Sequence, residues 1–503
     1  MGPSSSLDGD ERVFYPLLVA TARKASFKKE ISVSIQDNDD EYEEDIVINR
    51  SDKLRVLNYQ LSEEDDAVIS QNSQLATRQE RYDALVLDAR LRQSLATVRS
   101  LGSRGLRVAA LGSSAGLPAF SSRWCQQAFV CLADEGVDAY LPYLEQLLDR
   151  ISVRVLIASS DATVALIHRY RERLEQRVRI ALAGEPALGI AINKERTLEV
   201  ARQLRLSVPR SVSVKAVGEV EAALSEIGLP AVVKPVESWV WSKQKGMRLA
   251  RKLVTSPDEA LRAVEELTSF GEAAVLLQEF IPGRRESISL LYAQGQIYAC
   301  YAQRHTRIVG GESSMRQSIP VPPDIGDQAE RLIREIDLEG CSEIEFRRDI
   351  AGNPYLMEIN PRLWTSTELA VRSGVDFPYL LYQWASGEKI DEVKSYPVGG
   401  RLRYLTGDMK YMAKALAAVK QRGRPEATPP ARAIFDFCTS FFIPTGYDYV
   451  NWKDPRPAWT ATVGFIRDLL RRIGKNLLPK FTRSSGSMLP REKDTSQGVS
   501  NPR

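Results

Sequence analysis

The stretch that most constrains this chain runs from Glu343 to Arg362: Glu-Ile-Glu-Phe-Arg-Arg-Asp-Ile-Ala-Gly-Asn-Pro-Tyr-Leu-Met-Glu-Ile-Asn-Pro-Arg. Ile344 and Phe346 alternate with charged residues, and Tyr355, Met357 and Ile359 alternate again. Between them, Asp349 to Pro354 supplies turn residues, so the pattern predicts a β-hairpin. Side chains two apart share a face, which puts Glu343 with Glu345 on one arm and Glu358 with Asn360 on the other. Glu345, Glu358 and Asn360, converging from paired strands, suit one or two Mg²⁺ (or Mn²⁺) ions. Mg²⁺ takes hard oxygen ligands, draws on one or two carboxylates, and leaves its other positions to water and phosphate. Arg362 follows within reach, a planar cation suited to phosphate or carboxylate. Taken singly, Glu343 and Asp349 read as solvated acids of an ordinary hairpin.

Composition narrows the partners. A length of 503 residues allows about three domains. A net charge of +3 is too small to argue for nucleic acid. The two histidines, His168 and His305, argue against His-ligated metals and Ser–His–Asp chemistry. Five scattered cysteines without CxxC spacing argue against structural zinc and fit reduced thiols. No apolar run approaches the roughly 20 residues of a membrane span, and the first residues lack the pattern of a signal peptide. The expectation is a cytoplasmic protein handling small molecules, its oligomeric state open.

Residues 1–82 read as an extension, partly disordered, with a solvated acidic run from Asp37 to Asp45. From Asp83 the texture changes. Ala84–Leu87, Arg107–Leu111, Ala128–Leu132 and Arg154–Ala158 are strand-like and alternate with helical stretches, which points to a parallel sheet with covering helices. No GxGxxG fingerprint accompanies it. Asp161 follows the last of these strands, where α/β sheets place ligands, and equally where a helix takes its cap. Further on, Pro230-Ala-Val-Val-Lys234-Pro235 ends an apolar strand on a lysine, placed to meet a phosphate as a point charge. Arg304 and Arg307 alternate away from His305, so one strand face holds both against phosphate, next to a Gly310-Gly311-Glu-Ser-Ser anion cradle or a plain surface loop.

These segments together resemble the ATP-grasp superfamily, near its carbamoyl-phosphate synthase and biotin carboxylase-like carboxylate–amine ligase branch. Glu-Phe-Arg-x-Asp, a glycine turn and Leu-Met-Glu-Ile-Asn-Pro-Arg carry the resemblance, supported upstream over roughly residues 83–388. It implies an α/β and α+β fold: a Rossmann-like pre-ATP-grasp domain (83–190), an ATP-grasp lid (about 191–275) and core (about 276–388), and a smaller C-terminal region (389–480) before a disordered tail (481–503). ATP and Mg²⁺ are the implied cofactors. Lys194 and Lys234 then contact nucleotide phosphate, while Gln278, Glu279, Phe280 and Ile281 form the hinge that reads the adenosine, with Glu286 lining the site. Arg362, Arg304 and Lys234 are the candidate catalytic cations, and Thr365 and Ser366 line the acceptor pocket or cap a helix. Segment 237–248 occupies the place of the phosphate-covering loop but departs from the family pattern, with Gly246 its single glycine beside Trp239, Trp241, Lys243, Lys245 and Arg248.

The implied reaction joins a carboxylate to an amine or similar nucleophile through an acyl phosphate, releasing ADP and phosphate. Alternatives are an ATP-binding module without turnover and a small-molecule kinase. Toward the C-terminus, Phe435 to Pro444 reads as buried. Residues 462–478 read as an amphipathic helix with Phe465, Leu469, Ile473 and Leu477 on one side, packed on its own domain in preference to a membrane surface.

Overall fold

A computed structural model of the chain describes residues 80–133, 139–241, 246–270, 274–309, 312–417 and 429–477. The expectations for residues 1–79, for Lys243 and Lys245, for the Gly310-Gly311 cradle and for the tail lie outside the described residues.

The first layer is a parallel five-stranded sheet of order β3-β2-β1-β4-β5, with β1 Arg81–Val86, β2 Val108–Gly112, β3 Cys125–Val130, β4 Ser152–Ile157 and β5 Arg179–Ile180. Helices α1 (Arg92–Ser103), α2 (Tyr140–Arg150) and α3 (Asp161–Glu175) cover it. Its central strands are apolar on both faces, as parallel strands sandwiched by helices must be. Two short helices, α4 (Ala187–Ile192) and α5 (Lys194–Gln203), lead away; Asn193 caps α5 by accepting from the Arg196 amide.

The chain next enters β6 (Ser211–Val214) and β7 (Ala231–Pro235), turns out through a separate hairpin, β8 (Trp239–Trp241) and β9 (Gly246–Arg248), and returns as β10 (Lys252–Val254) and β11 (Val275–Glu279). The antiparallel sheet β10-β7-β11-β6 buries one face under α6 (Val220–Ile227) and α7 (Pro257–Thr268) through Val233, Leu277, Ala263 and Val264. In the turn after β11, Gly283 sits at φ +136, and a Cβ there would lie 2.0 Å from the Arg348 carbonyl oxygen. Only glycine permits that approach.

The third sheet has order β16-β15-β12-β13-β14-β17-β18. Strands β12 (Arg284–Ala293), β13 (Gln296–Val309) and β14 (Glu312–Ile319) form a meander, and α8 (Pro323–Ile336) then crosses to the hairpin β15 (Gly340–Arg348) and β16 (Pro354–Asn360). The predicted hairpin is present. Because successive side chains alternate, the sheet has two chemically distinct faces. Ile288, Ile344 and Phe346 point to the face covered by α8 through Ile325, Leu332 and Ile333. On the other face, α9 (Thr367–Arg372) and α10 (Phe377–Ser386) cover one end through Leu369, Phe377 and Leu381, together with α1. The remaining end carries the polar residues of the site.

The last described segments belong to this same sheet. β17 (Arg401–Arg403) pairs with β14, and after α11 (Leu405–Ala417) and α12 (Pro430–Thr439), β18 (Gly446–Tyr447) pairs with β17. Helix α13 (Arg456–Leu477) ends the description. Two expectations fail here. Phe435, Phe441 and Phe442 are exposed, because α12 turns its Ala433 inward and is held by polar contacts to Arg307 and Arg403. In α13, Leu469 faces outward while Phe465 is half-buried, and the side chains of Ile473 and Leu477 lie outside the described residues. No helix among the described residues is long and apolar enough to cross a membrane.

Candidate active site

In-register pairing assembles the polar end of the third sheet. Glu345 lies opposite Ser287 on one side and Glu358 on the other, while Glu343 lies opposite Asn360. Opposed residues in antiparallel strands point the same way, so all five side chains share a face. Asn360 donates to Glu345 Oε1 at 3.2 Å and to Glu343 Oε2 at 3.3 Å. Ser287 (3.0 Å) and Gln303 (2.9 Å) donate to Glu343 Oε1. Three carboxylates thus stand within one small area, Glu343 and Glu345 buried and Glu358 half-buried.

Cations from three other elements offset them. Lys194, the first residue of α5, places Nζ 3.7 Å from Glu358 Oε2 and donates to Ser238 Oγ at 2.9 Å. Lys234, near the end of β7, donates to the Met357 carbonyl at 3.4 Å. Arg285 of β12 bonds Glu345 directly. Burial pulls the Lys234 ammonium down to about 7, only partly countered by Glu358. Burial likewise pushes Glu343 up to about 7, reinforced by the charge of Glu345. Glu358 faces the same burial, yet Lys194 and Lys234 hold its carboxyl below the ordinary carboxylate value. Within one cluster, burial and the charge of Glu345 thus raise Glu343, while Lys194 and Lys234 lower Glu358.

Arg362 leaves β16 and meets Asp161 of α3, with Nε 2.6 Å from Oδ1. Arg248 of β9 approaches the other oxygen at 3.6 Å. Burial would raise the Asp161 carboxyl, but Arg362 and Arg248 bring it down to about 2. Ser160 caps α3 by accepting from the Thr163 amide, so Asp161 is not the cap but part of the site. A pocket opens between these groups, lined by Asp161, Lys194, Ser238, Trp239, Glu358 and Arg362.

The alternation that gathers these groups removes two others. Glu286 lies opposite Phe346 and Arg304, on the face covered by α8. Its carboxylate is buried against Arg348 (2.6 Å), Arg304 (3.0 Å) and Arg284 (3.1 Å). The readings of Glu286 as lining the nucleotide site and of Arg304 as a catalytic cation are therefore corrected, since both point away from Glu345 and Glu358. Irregular pairing between His305 and Arg307 also turns Arg307 aside, to Asp408 at 2.6 Å. At the expected hinge, Gln278 is buried with no hydrogen-bond partner for Nε2 among the described residues. Glu279 pairs with Arg210 at 3.1 Å, and Arg347 lies over the Phe280 ring while donating to the Ile281 carbonyl at 2.7 Å. Thr365 accepts from Arg316 and Ser366 from Gln303, so both face the polar cluster.

Sequence reading missed Arg285, one residue from the misassigned Glu286, and Ser238. It also missed Arg251, which lies close enough to Glu358 and Glu345 to feel both charges. Among the described residues no three histidine, cysteine or acidic side chains are arranged to hold a metal. The donor chemistry nevertheless fits a hard divalent cation: Glu345 and Glu358 oppose each other, with the Asn360 amide beside them.

Residues 272–407 match the family described as "ATP-grasp in the biosynthetic pathway with Ter operon". Over that stretch the chain matches an ATP-grasp family model. It is similar to the D-alanine--D-alanine ligase of Chromohalobacter salexigens, 24% identical over 220 residues, which covers 40% of this chain and 66% of that relative. Among solved structures it is similar to the biotin carboxylase domain of Hydrogenobacter thermophilus 2-oxoglutarate carboxylase, solved with MgADP, ADP and bicarbonate. That likeness has a TM-score of 0.53 at 16% identity, covering 64% of this chain and 73% of that one. It is also similar to the L-amino acid ligase from Bacillus licheniformis, with a TM-score of 0.51 at 18% identity, covering 63% and 79%. At these identities the structural likeness establishes the mixed α/β ATP-grasp fold.

Proposed function

We propose that this protein is an ATP- and Mg²⁺-dependent ligase that activates a carboxylate as an acyl phosphate and passes it to an amine, releasing ADP and phosphate. The observation that carries this reading is the gathering of Glu345, Glu358 and Asn360 with Lys194, Lys234 and Arg362 on one side of one sheet. In it, Lys194 and Lys234 bind the nucleotide's phosphate oxygens. Arg362 orients the substrate carboxylate toward the terminal phosphate. Mg²⁺ held by Glu345, Glu358 and Asn360 would neutralise charge on the β- and γ-phosphates. Catalysis is then mainly positioning and electrostatics, as in phosphoryl transfer generally. The β8–β9 hairpin, with Trp239 lining the pocket, excludes water from a reactive acyl phosphate.

The test is a screen for ADP release with paired carboxylate and amine pools, run with hydroxylamine as a trap. A hydroxamate formed only with ATP, Mg²⁺ and the right carboxylate supports the reading. AMP with pyrophosphate would overturn it. One observation favours a nucleotide-binding module without turnover: Arg285 and Lys194 already satisfy Glu345 and Glu358. ATP binding with no release of ADP across all pools would select that reading.

A further inference from the structure

Helix α13 is built inside out. Pro457 is buried and Ala461 half-buried, and the helix lies against the turn at Ala119–Ser121. The large apolar residues Trp459, Val463, Ile466 and Leu470 are 74%, 44%, 48% and 62% exposed. Their spacing of four, three and four residues draws one continuous stripe along the outward side. A single exposed leucine needs no explanation, but a stripe about three turns long on a charged helix does.

The charge on the helix identifies what covers the stripe. Its sequence carries Arg456, Arg467, Arg471, Arg472 and Lys475 against Asp468 alone. The whole chain has a net charge of only +3, so positive charge is concentrated here. Arg456 and Arg467 are exposed, and Arg467 borders the stripe beside Ile466 and Leu470. We infer that the outward stripe of α13 docks in the plane of an anionic lipid surface. A helix with an apolar side, a basic polar side and a tryptophan settles at the headgroup boundary, held by burial and by attraction to acidic lipids. A second copy of the chain suits the stripe poorly, because pairing two such helices sets basic flank against basic flank.

The experiment uses the full chain and vesicles of phosphatidylcholine, with and without a minority of phosphatidylserine. Co-sedimentation should appear with phosphatidylserine and weaken as salt rises. It should fall more than about tenfold in an Ile466→Ser, Leu470→Ser double variant. Arg467→Glu should weaken it as well. Thermal melting of the variants should stay close to the parent, because these side chains are largely exposed. Failure of the parent to sediment with phosphatidylserine vesicles would overturn the inference. So would equal sedimentation of parent and double variant, or a concentration-dependent dimer that the double variant abolishes.

Discussion

The Arg362 guanidinium donates to Asp161 Oδ1 at 2.6 Å, joining the exit of β16 to the first turn of α3 across 201 residues of sequence. Through Arg248 the same carboxylate also holds the β8–β9 hairpin. One side chain of the first layer thus fastens two parts of the site. Replacing Asp161 by Ala leaves two cations facing each other where their anion was. The expected result is a loss of about 2 kcal/mol of stability, measured by urea denaturation, with Asp161→Glu recovering part of it.

Glu358→Gln should abolish Mg²⁺-dependent ATP turnover while leaving metal-free nucleotide affinity nearly unchanged. The substitution removes the carboxylate opposite Glu345 but keeps the shape of the strand. ADP release with and without Mg²⁺, beside equilibrium nucleotide binding in chelator, checks it. Near-normal turnover would remove the metal assignment.

The two residues of the buried face behave differently from the site. Arg304→Ala should leave ADP release unchanged and cost less than about 1 kcal/mol, since Arg304 is partly exposed and Glu286 keeps Arg348. Glu286→Ala should cost about 2 kcal/mol, because it leaves the buried Nε of Arg348 without its acceptor while Asp324 keeps the other two nitrogens. Denaturation curves for both, with turnover measured alongside, test the placement. A large loss of turnover in a fully folded Arg304→Ala protein would contradict it.

His305 and Glu343 give opposite pH dependences in the same window. Burial, with Arg285 and Arg316 adding to it, holds the His305 imidazole well below 6.5. As pH falls, the unfolded chain takes up that proton first, so the contribution of His305 is complete above about 6.5 and lost below it. Glu343, raised from 4.5 to about 7, keeps its proton longer in the folded state. Its contribution is full below about 4.5 and lost as pH rises toward 7. In Glu343→Gln, stability should therefore rise with pH between 5 and 6.5, by up to about 1.4 kcal/mol per pH unit. In His305→Gln it should decline over the same range. Urea denaturation at several pH values without Mg²⁺ distinguishes the two.

The hairpin was legible because its period of two is written locally, in residues that also turn and pair locally. Arg304 was not, because its face depends on the register of β13 against β12, and one residue of slip exchanges faces. Gln303, its neighbour, reaches Glu343, whereas Arg304 reaches the buried side. Carrying the alternation outward from Glu345 through Ser287 would have found Arg285 and rejected Glu286. In α13 the period was read correctly but the side was misjudged. Trp459 precedes residues 462–478, and together with Val463 it shows which way the apolar stripe points. Asp161 was ambiguous for another reason: its partners come from β9 and β16, far along the chain.

Strand β17 covers the outer side of β14, pairing Met315 with Arg403, Arg316 with Leu402 and Gln317 with Arg401. The segment after residue 388 therefore closes a ribbon edge of the very sheet that carries Glu345 and Glu358. A chain shortened to residue 388 would retain every group of the site and still present open backbone amides and carbonyls along β14. Such an edge recruits any strand that reaches it, including another copy's. In this protein the segment after residue 388 supplies the strand that pairs that edge.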